Sequence, residues 1–246
     1  MLVQQQFESG LREIAEIAQL LWDKGWAEAS AGNYSINLGE INFKDNYLFN
    51  KGAYKKLNST YSSIANQCLL ISSSGSKMRN VAKSPELFTG LLHIAKEGDS
   101  ATFYKHNQNQ GNISPTSEID VHLALHNQAQ EQNTTVRAIL HAHVTEIIAI
   151  TQHEELSTEE SLNYTFKNIH PEFSLFIPEE VGYIPFMPSA NLHMAKITAE
   201  KAKEKSAIIW AKHGMICQGK SLNVAFDLMD IVAKQADVYM KCKGLG

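Results

Sequence analysis

The chain has 246 residues, a formal net charge of -4 and 43% hydrophobic residues, enough to bury a sizeable core. Its 22 Lys and Arg are scattered, which removes the electrostatic case for a nucleic-acid partner and favours a small ligand. Cys68, Cys217 and Cys242 show no C-x-x-C spacing, no apolar run approaches the ~20 residues that span a bilayer, and the start lacks a charged region followed by an apolar stretch, so a reduced cytoplasmic setting without membrane attachment is expected.

Phe7, Leu11, Ile14, Ala18 and Leu21 recur at helical spacing and stop before Gly25, which predicts an amphipathic first helix. After the turn Ser30-Ala31-Gly32-Asn33, the run Tyr34-Ser35-Ile36-Asn37-Leu38 alternates large and small polar residues as a strand does. Residues 40–66 are polar without a clear period and read as an irregular excursion from the core. Cys68-Leu69-Leu70-Ile71 predicts a short strand entering residues 72–77, a serine-rich loop that can wrap an anion or serve as a plain polar turn. Behind Pro115, Thr116 or Ser117 is placed to cap a helix whose first turn carries Glu118. Residues 136–143 predict a strand, and Thr145, Ile147, Ile148 and Ile150 a helix leaving it. Residues 176–188 predict short edge strands and turns, with Asn191 capping the helix that follows. Ala207-Ile208-Ile209-Trp210 repeats the apolar strand, His213-Gly214 marks a tight turn into Met215-Ile216-Cys217, and Ser221 opens a last helix. With no internal repeat and no low-complexity linker, one domain over residues 1–246 is expected.

In His141-Ala142-His143 the two imidazoles stand side by side, because alternate residues of an extended strand point to one face. With His213 from another strand end they make three neutral nitrogen ligands around an open position, the arrangement of a catalytic zinc. A lone histidine is more often a hydrogen-bonded core residue, and the other seven keep that bland reading. His122 and His126 lie four apart on one helix face as a rival ligand pair, but no Glu follows His122 as H-E-x-x-H requires, so both read as surface residues. Glu118 would ordinarily be a dipole-favoured surface carboxylate; beside a metal it can complete the coordination or act as a general base. Ser30, Asn33, Thr116, Ser117 and the serine loop place small polar donors at strand-to-helix junctions, which suggests a phosphorylated substrate. A zinc hydrolase, with Glu118 activating a water, is the alternative enzyme class for this constellation.

Lys24-Gly25-Trp26 leading to Gly32-Asn33, then Arg79-Asn80-Val81, Pro115-Thr116-Ser117-Glu118 and His141-Ala142-His143, occur in an order and spacing that resembles the class II aldolase/adducin family. Glu172-Phe173-Ser174-Leu175-Phe176, Val181-Gly182-Tyr183-Ile184-Pro185-Phe186 and His213-Gly214 continue the match, so the resemblance covers nearly the whole chain. It implies an α/β fold of three layers, α/β/α, with a central, largely antiparallel β-sheet flanked by helices. It implies zinc-dependent retro-aldol cleavage of a ketose 1-phosphate in a homotetramer with sites between subunits. Carried over by position, His141, His143 and His213 bind zinc, Glu118 is the catalytic acid/base, and Glu172 is a second carboxylate supplied across the subunit interface. Ser30, Asn33, Ser73, Ser74, Gly75, Thr116 and Ser117 fall where the family holds the phosphate, although Ser73 stands where its pattern has glycine. Sugar-phosphate epimerisation and dehydration are further activities the scaffold implies. The adducin branch is an interaction module in which the metal histidines are expected to be missing; here all three are present.

Overall fold

The computed structural model describes residues 2–41, 48–109, 111, 113–188 and 191–244. In chain order the first elements are α1 (Leu2–Asp23), β1 (Asn33–Gly39), β2 (Phe49–Lys56), β3 (Cys68–Ser72), α2 (Met78–Val81), α3 (Pro85–Phe88), β4 (Thr89–Ile94), β5 (Ser100–His106) and α4 (Ile119–Glu131). There follow β6 (Ala138–Ala142), α5 (Thr145–Ile150), α6 (Glu159–Lys167), α7 (Glu172–Phe176), β7 (Gly182–Ile184), α8 (Leu192–Lys201), β8 (Ala207–Trp210), β9 (Gly214–Gly219) and α9 (Leu222–Cys242).

Among the described residues the strands form a nine-stranded sheet in the order β2-β5-β4-β3-β1-β6-β9-β8-β7, in which the β7–β8 pair is parallel and the other pairs are antiparallel. Strand alternation sorts side chains to two faces. Tyr34, Ile36, Leu140, Ala142, Met215 and Cys217 join one cluster with Ile14 and Leu21 of α1 and Met229 and Val232 of α9. Ile139, Trp210 and Ile216 join another with Val121 and Leu125 of α4 and Met194 and Ala195 of α8. Helices therefore cover both faces, the three-layer α/β/α arrangement that the resemblance implied.

Antiparallel pairing decides where a site can form. Because β3, β1, β6 and β9 are neighbours that each reverse direction, the end of β3, the start of β1, the end of β6 and the start of β9 meet at one end of the sheet. Asn33 is the register partner of His141 there.

Two sequence expectations are corrected. Residues 40–66 are not an irregular excursion throughout: they hold β2, an edge strand paired with β5, and a turn of 3-10 helix at Ser62–Ile64, while residues 42–47 lie outside the described residues. The strand escaped the sequence reading because backbone pairing to β5, with a register shift between Lys51 and Tyr54, defines it, whereas Asn50, Tyr54 and Lys56 are exposed in place of an apolar alternation. At α4, Glu118 occupies the N-cap position rather than the first turn, and no side chain caps the helix. Thr116 Oγ1 accepts the Glu118 N–H at 3.3 Å, which ties down the residue before the helix begins. Elsewhere the caps follow expectation: Asn191 accepts from Met194 N and Ser221 from Val224 N. Among the described residues no helix is long and apolar enough to cross a membrane.

Candidate metal centre

The three histidines converge. His141 ends its run on β6, His143 lies one residue beyond the strand, and His213 precedes β9; one ring nitrogen of each lies within 4.8 Å of the others. His143 is held by its own N–H, which donates to Trp26 O at 3.0 Å. His213 reaches the pair because Gly214, at φ +141°, runs tight against β6: a Cβ there would stand 2.2 Å from Ala142 O.

The tautomers are set from behind. His141 Nδ1 donates to Met215 O at 2.9 Å, which leaves Nε2 with its lone pair; that atom is buried and has no hydrogen-bond partner. His143 Nδ1 lies 2.7 Å from Glu28 Oε1, so its Nε2 is likewise the free acceptor. His213 Nδ1 is buried without a partner. Unpartnered imidazole nitrogens at mutual ligand distance are what a divalent cation satisfies, and so the residues present fit a metal. The His141 and His213 rings are also held neutral, as ligands must be. Burial, then the neighbouring His143, pushes His141 down to about 3, and burial, then His141, pushes His213 down to about 4. The Trp210 indole packs on both rings, with centroids 4.6 Å from His141 and 5.4 Å from His213, and walls the site on one side.

Glu118 is buried and directs Oε2 to within 3.7 Å of His141 Nε2. Around this centre a cavity of about 510 Å³ is lined by Ser30, Asn33, Ser73, Ser74, Gly75, Thr116, Ser117, Glu118 and all three histidines. The serine loop is zipped to the segment that leads into Glu118: Thr116 N–H donates to Ser72 O and Ser74 N–H to Ser114 O, while Ser73 N–H donates to Phe88 O. The backbone donors of Ser73 and Ser74 are therefore spent inside the protein. An anion at Ser73 and Ser74 meets their hydroxyls instead, and Ser73 Oγ is indeed buried without a partner. Glu172 does not line this cavity; it is exposed at the start of α7, in a separate depression with Lys24, His170 and Asp230.

Residues 12–240 match the Class II Aldolase and Adducin N-terminal domain. The chain belongs to the class II aldolase and adducin family. It is 30% identical to the rhamnulose-1-phosphate aldolase of Listeria welshimeri, over 94% of this chain and 82% of that protein. It is 27% identical to the enzyme of the same name from Bacteroides thetaiotaomicron, over 96% and 87% of the two chains. The sugar-phosphate aldolase of Thermotoga maritima superposes with a TM-score of 0.84 at 30% identity, covering 98% of this chain and 97% of its own.

Within this class II aldolase family member, two sets of residues escaped the sequence reading. Glu28 is one, since a carboxylate in a loop gives no signal until it meets His143. The other corrects the placement of His122 and His126 on the surface. Both are fully buried and both contact Ser35 Oγ, at 2.7 and 2.8 Å, because α4 lies flat on β1 and turns this face inward.

Proposed function

We propose that the protein is a zinc-dependent ketose-1-phosphate aldolase that cleaves L-rhamnulose 1-phosphate to dihydroxyacetone phosphate and L-lactaldehyde. The observation that carries the chemistry is the buried, unpartnered His141 Nε2, which shares one cavity with His143, His213 and the Glu118 carboxylate. The sugar comes from the relatives, two of which bear that enzyme's name across most of this chain.

In the cleavage direction the hydroxyl on C4 gives up its proton to the second carboxylate, Glu172, its C–O bond becomes the aldehyde carbonyl, and the C3–C4 bond pair passes to C3 as an enediolate that takes a proton from the acid form of Glu118. Held by His141, His143 and His213, a zinc ion supplies Lewis-acid stabilisation for the negative charge that develops at the ketone oxygen. Glu118 delivers the proton that C3 needs and regains it in the reverse reaction, a role suited to a carboxylate buried at the edge of the cavity. Ser30, Asn33, Thr116, Ser117 and the hydroxyls of Ser73 and Ser74 hold the phosphate, with Gly75 letting it approach the backbone. Glu172 assists the departing aldehyde from a neighbouring subunit of a homotetramer. Its exposure, with Leu175 and Phe176 bared beside it, supports a place in an interface.

Purified protein assayed with zinc against a panel of ketose 1-phosphates and ketose 5-phosphates tests this reading. Release of dihydroxyacetone phosphate from L-rhamnulose 1-phosphate is expected. Epimerised product without C–C cleavage, or ester hydrolysis without it, would replace the aldolase by another chemistry of the same centre.

A further inference from the structure

Behind Glu118 runs a buried chain of hydrogen bonds whose direction can be worked out atom by atom. Glu118 Oε2 accepts from Asn33 Nδ2 at 2.8 Å, which turns Asn33 Oδ1 back into the protein. His122 Nε2 stands 2.6 Å from that Oδ1 and must carry the hydrogen, which leaves Nδ1 of the neutral ring as an acceptor. The donor to Nδ1 is the Ser35 hydroxyl at 2.7 Å, and Ser35 Oγ in turn accepts Nε2–H of His126 at 2.8 Å. Asn33, Ser35, His122 and His126 are all buried, so water does not compete for these bonds. Burial also keeps the rings neutral, lowering His122 well below its ordinary value and His126 to about 3.

Every donor in the series therefore points the same way, from α4 through β1 to the cavity. We propose that His122 is a positioning residue for Glu118: fixed as its Nε2–H tautomer by Ser35 and His126, it locks the Asn33 amide and so aims the Glu118 carboxylate at the histidine centre. The lock matters because a flipped amide would set Asn33 Oδ1 against Glu118 Oε2, oxygen lone pairs facing oxygen lone pairs. The Nε2–H of His122 forbids that flip, since the reversed amide would turn NH2 toward a ring N–H. Interior packing alone does not call for such a series, because apolar residues of similar volume fill a core at least as stably as a polar network. The inference rests on Glu118 being the acid/base of the reaction proposed above.

The experiment compares His122→Phe, His122→Gln and Ser35→Ala in the zinc-loaded protein. His122→Phe is expected to lower kcat by roughly 10- to 100-fold while KM and zinc stoichiometry stay unchanged. His122→Gln, whose amide can donate to Asn33, restores most of that loss. Equal loss in Phe and Gln, a change in KM alone, or no loss overturns the positioning role. Histidine 15N NMR gives a readout that needs no turnover and keeps the proposal testable if His122→Phe fails to fold. His122 is expected as a single Nε2–H tautomer in the wild-type protein and as a mixture in Ser35→Ala. An Nδ1–H tautomer in the wild type reverses the chain and rejects the proposal. If no ketose phosphate is cleaved, the aldolase reading fails by itself, and the Asn33 side-chain amide resonances in His122→Gln and Glu118→Gln still report whether the three residues are coupled. Unshifted resonances in both would overturn the lock.

Discussion

Glu118 Oε2 stands 3.7 Å from His141 Nε2, facing a ligand nitrogen without hydrogen-bonding to it. Asn33 Nδ2 accounts for that stand-off by holding the same oxygen at 2.8 Å. In the proposed aldolase the carboxylate is thus kept for proton transfer at the edge of the centre, and Glu118→Gln separates that role from metal binding. The glutamine oxygen still accepts from Asn33, but the proton shuttle is gone. Turnover is expected to fall by about 10²- to 10⁴-fold with zinc content unchanged. Wild-type turnover in this variant, measured on the ketose phosphate that the native protein cleaves, would remove Glu118 from the chemistry.

The proposed zinc site predicts unequal contributions from His141 and His143. His141→Ala deletes a buried nitrogen backed by Met215 O and is expected to abolish stoichiometric zinc binding. Glu28→Ala acts one step further out, on the carboxylate that fixes the His143 tautomer. Because Glu28 is largely exposed, its bond is screened, and a roughly 10-fold weakening of zinc affinity is expected, at the low end for such partners. Competition against a chromophoric chelator measures both. Equal affinity of Glu28→Ala and wild type would show that His143 needs no outer carboxylate.

Stability should fall with acid through the buried pair on α4. Burial pushes His126 down to about 3 from 6.5 for the free ring, and burial followed by the charges of His126 and His141 lowers His122 in the same direction. Between those values the unfolded chain binds more protons than the folded one, so unfolding gains as pH falls. The contribution is complete above about 6.5 and is lost progressively down to about 3. Urea titrations of the metal-free protein across this window are expected to show a steeper fall in the wild type than in His126→Phe. Parallel slopes would mean that other groups carry the acid dependence.

How far the fold and site were legible depends on how far apart the interacting residues lie in sequence. His141-Ala142-His143 could be read locally, because strand alternation alone puts both rings on one face. The caps at Asn191 and Ser221 were equally local. His122 and His126 were misplaced because their partner Ser35 lies 87 and 91 residues away, on a strand whose contact with α4 no helical period reveals. The same holds for Glu28, 115 residues from His143, and for β2, whose ladder to β5 involves backbone rather than side-chain pattern. Antiparallel neighbours gather four strand ends into one site, and that gathering is a property of topology, which local sequence does not encode.

Gly214 gives the sharpest test of that gathering. A Cβ at this position would lie 2.2 Å from Ala142 O and 3.0 Å from His143 Cα, both on the chain that carries two of the three histidines. Gly39 is a suitable control, since its φ of +75° also disfavours an L side chain but nothing lies within 4 Å of its added Cβ. Gly39→Ala therefore suffers backbone strain alone, about 1–2 kcal/mol, and keeps native zinc affinity. Gly214→Ala must in addition push β9 away from β6, which carries His213 off its partners. It is expected to lose more stability than the control and to bind zinc far more weakly, as read by thermal unfolding of the metal-free protein and by chelator competition. If the two variants match in both measurements, the close approach at Gly214 is not what assembles the three histidines.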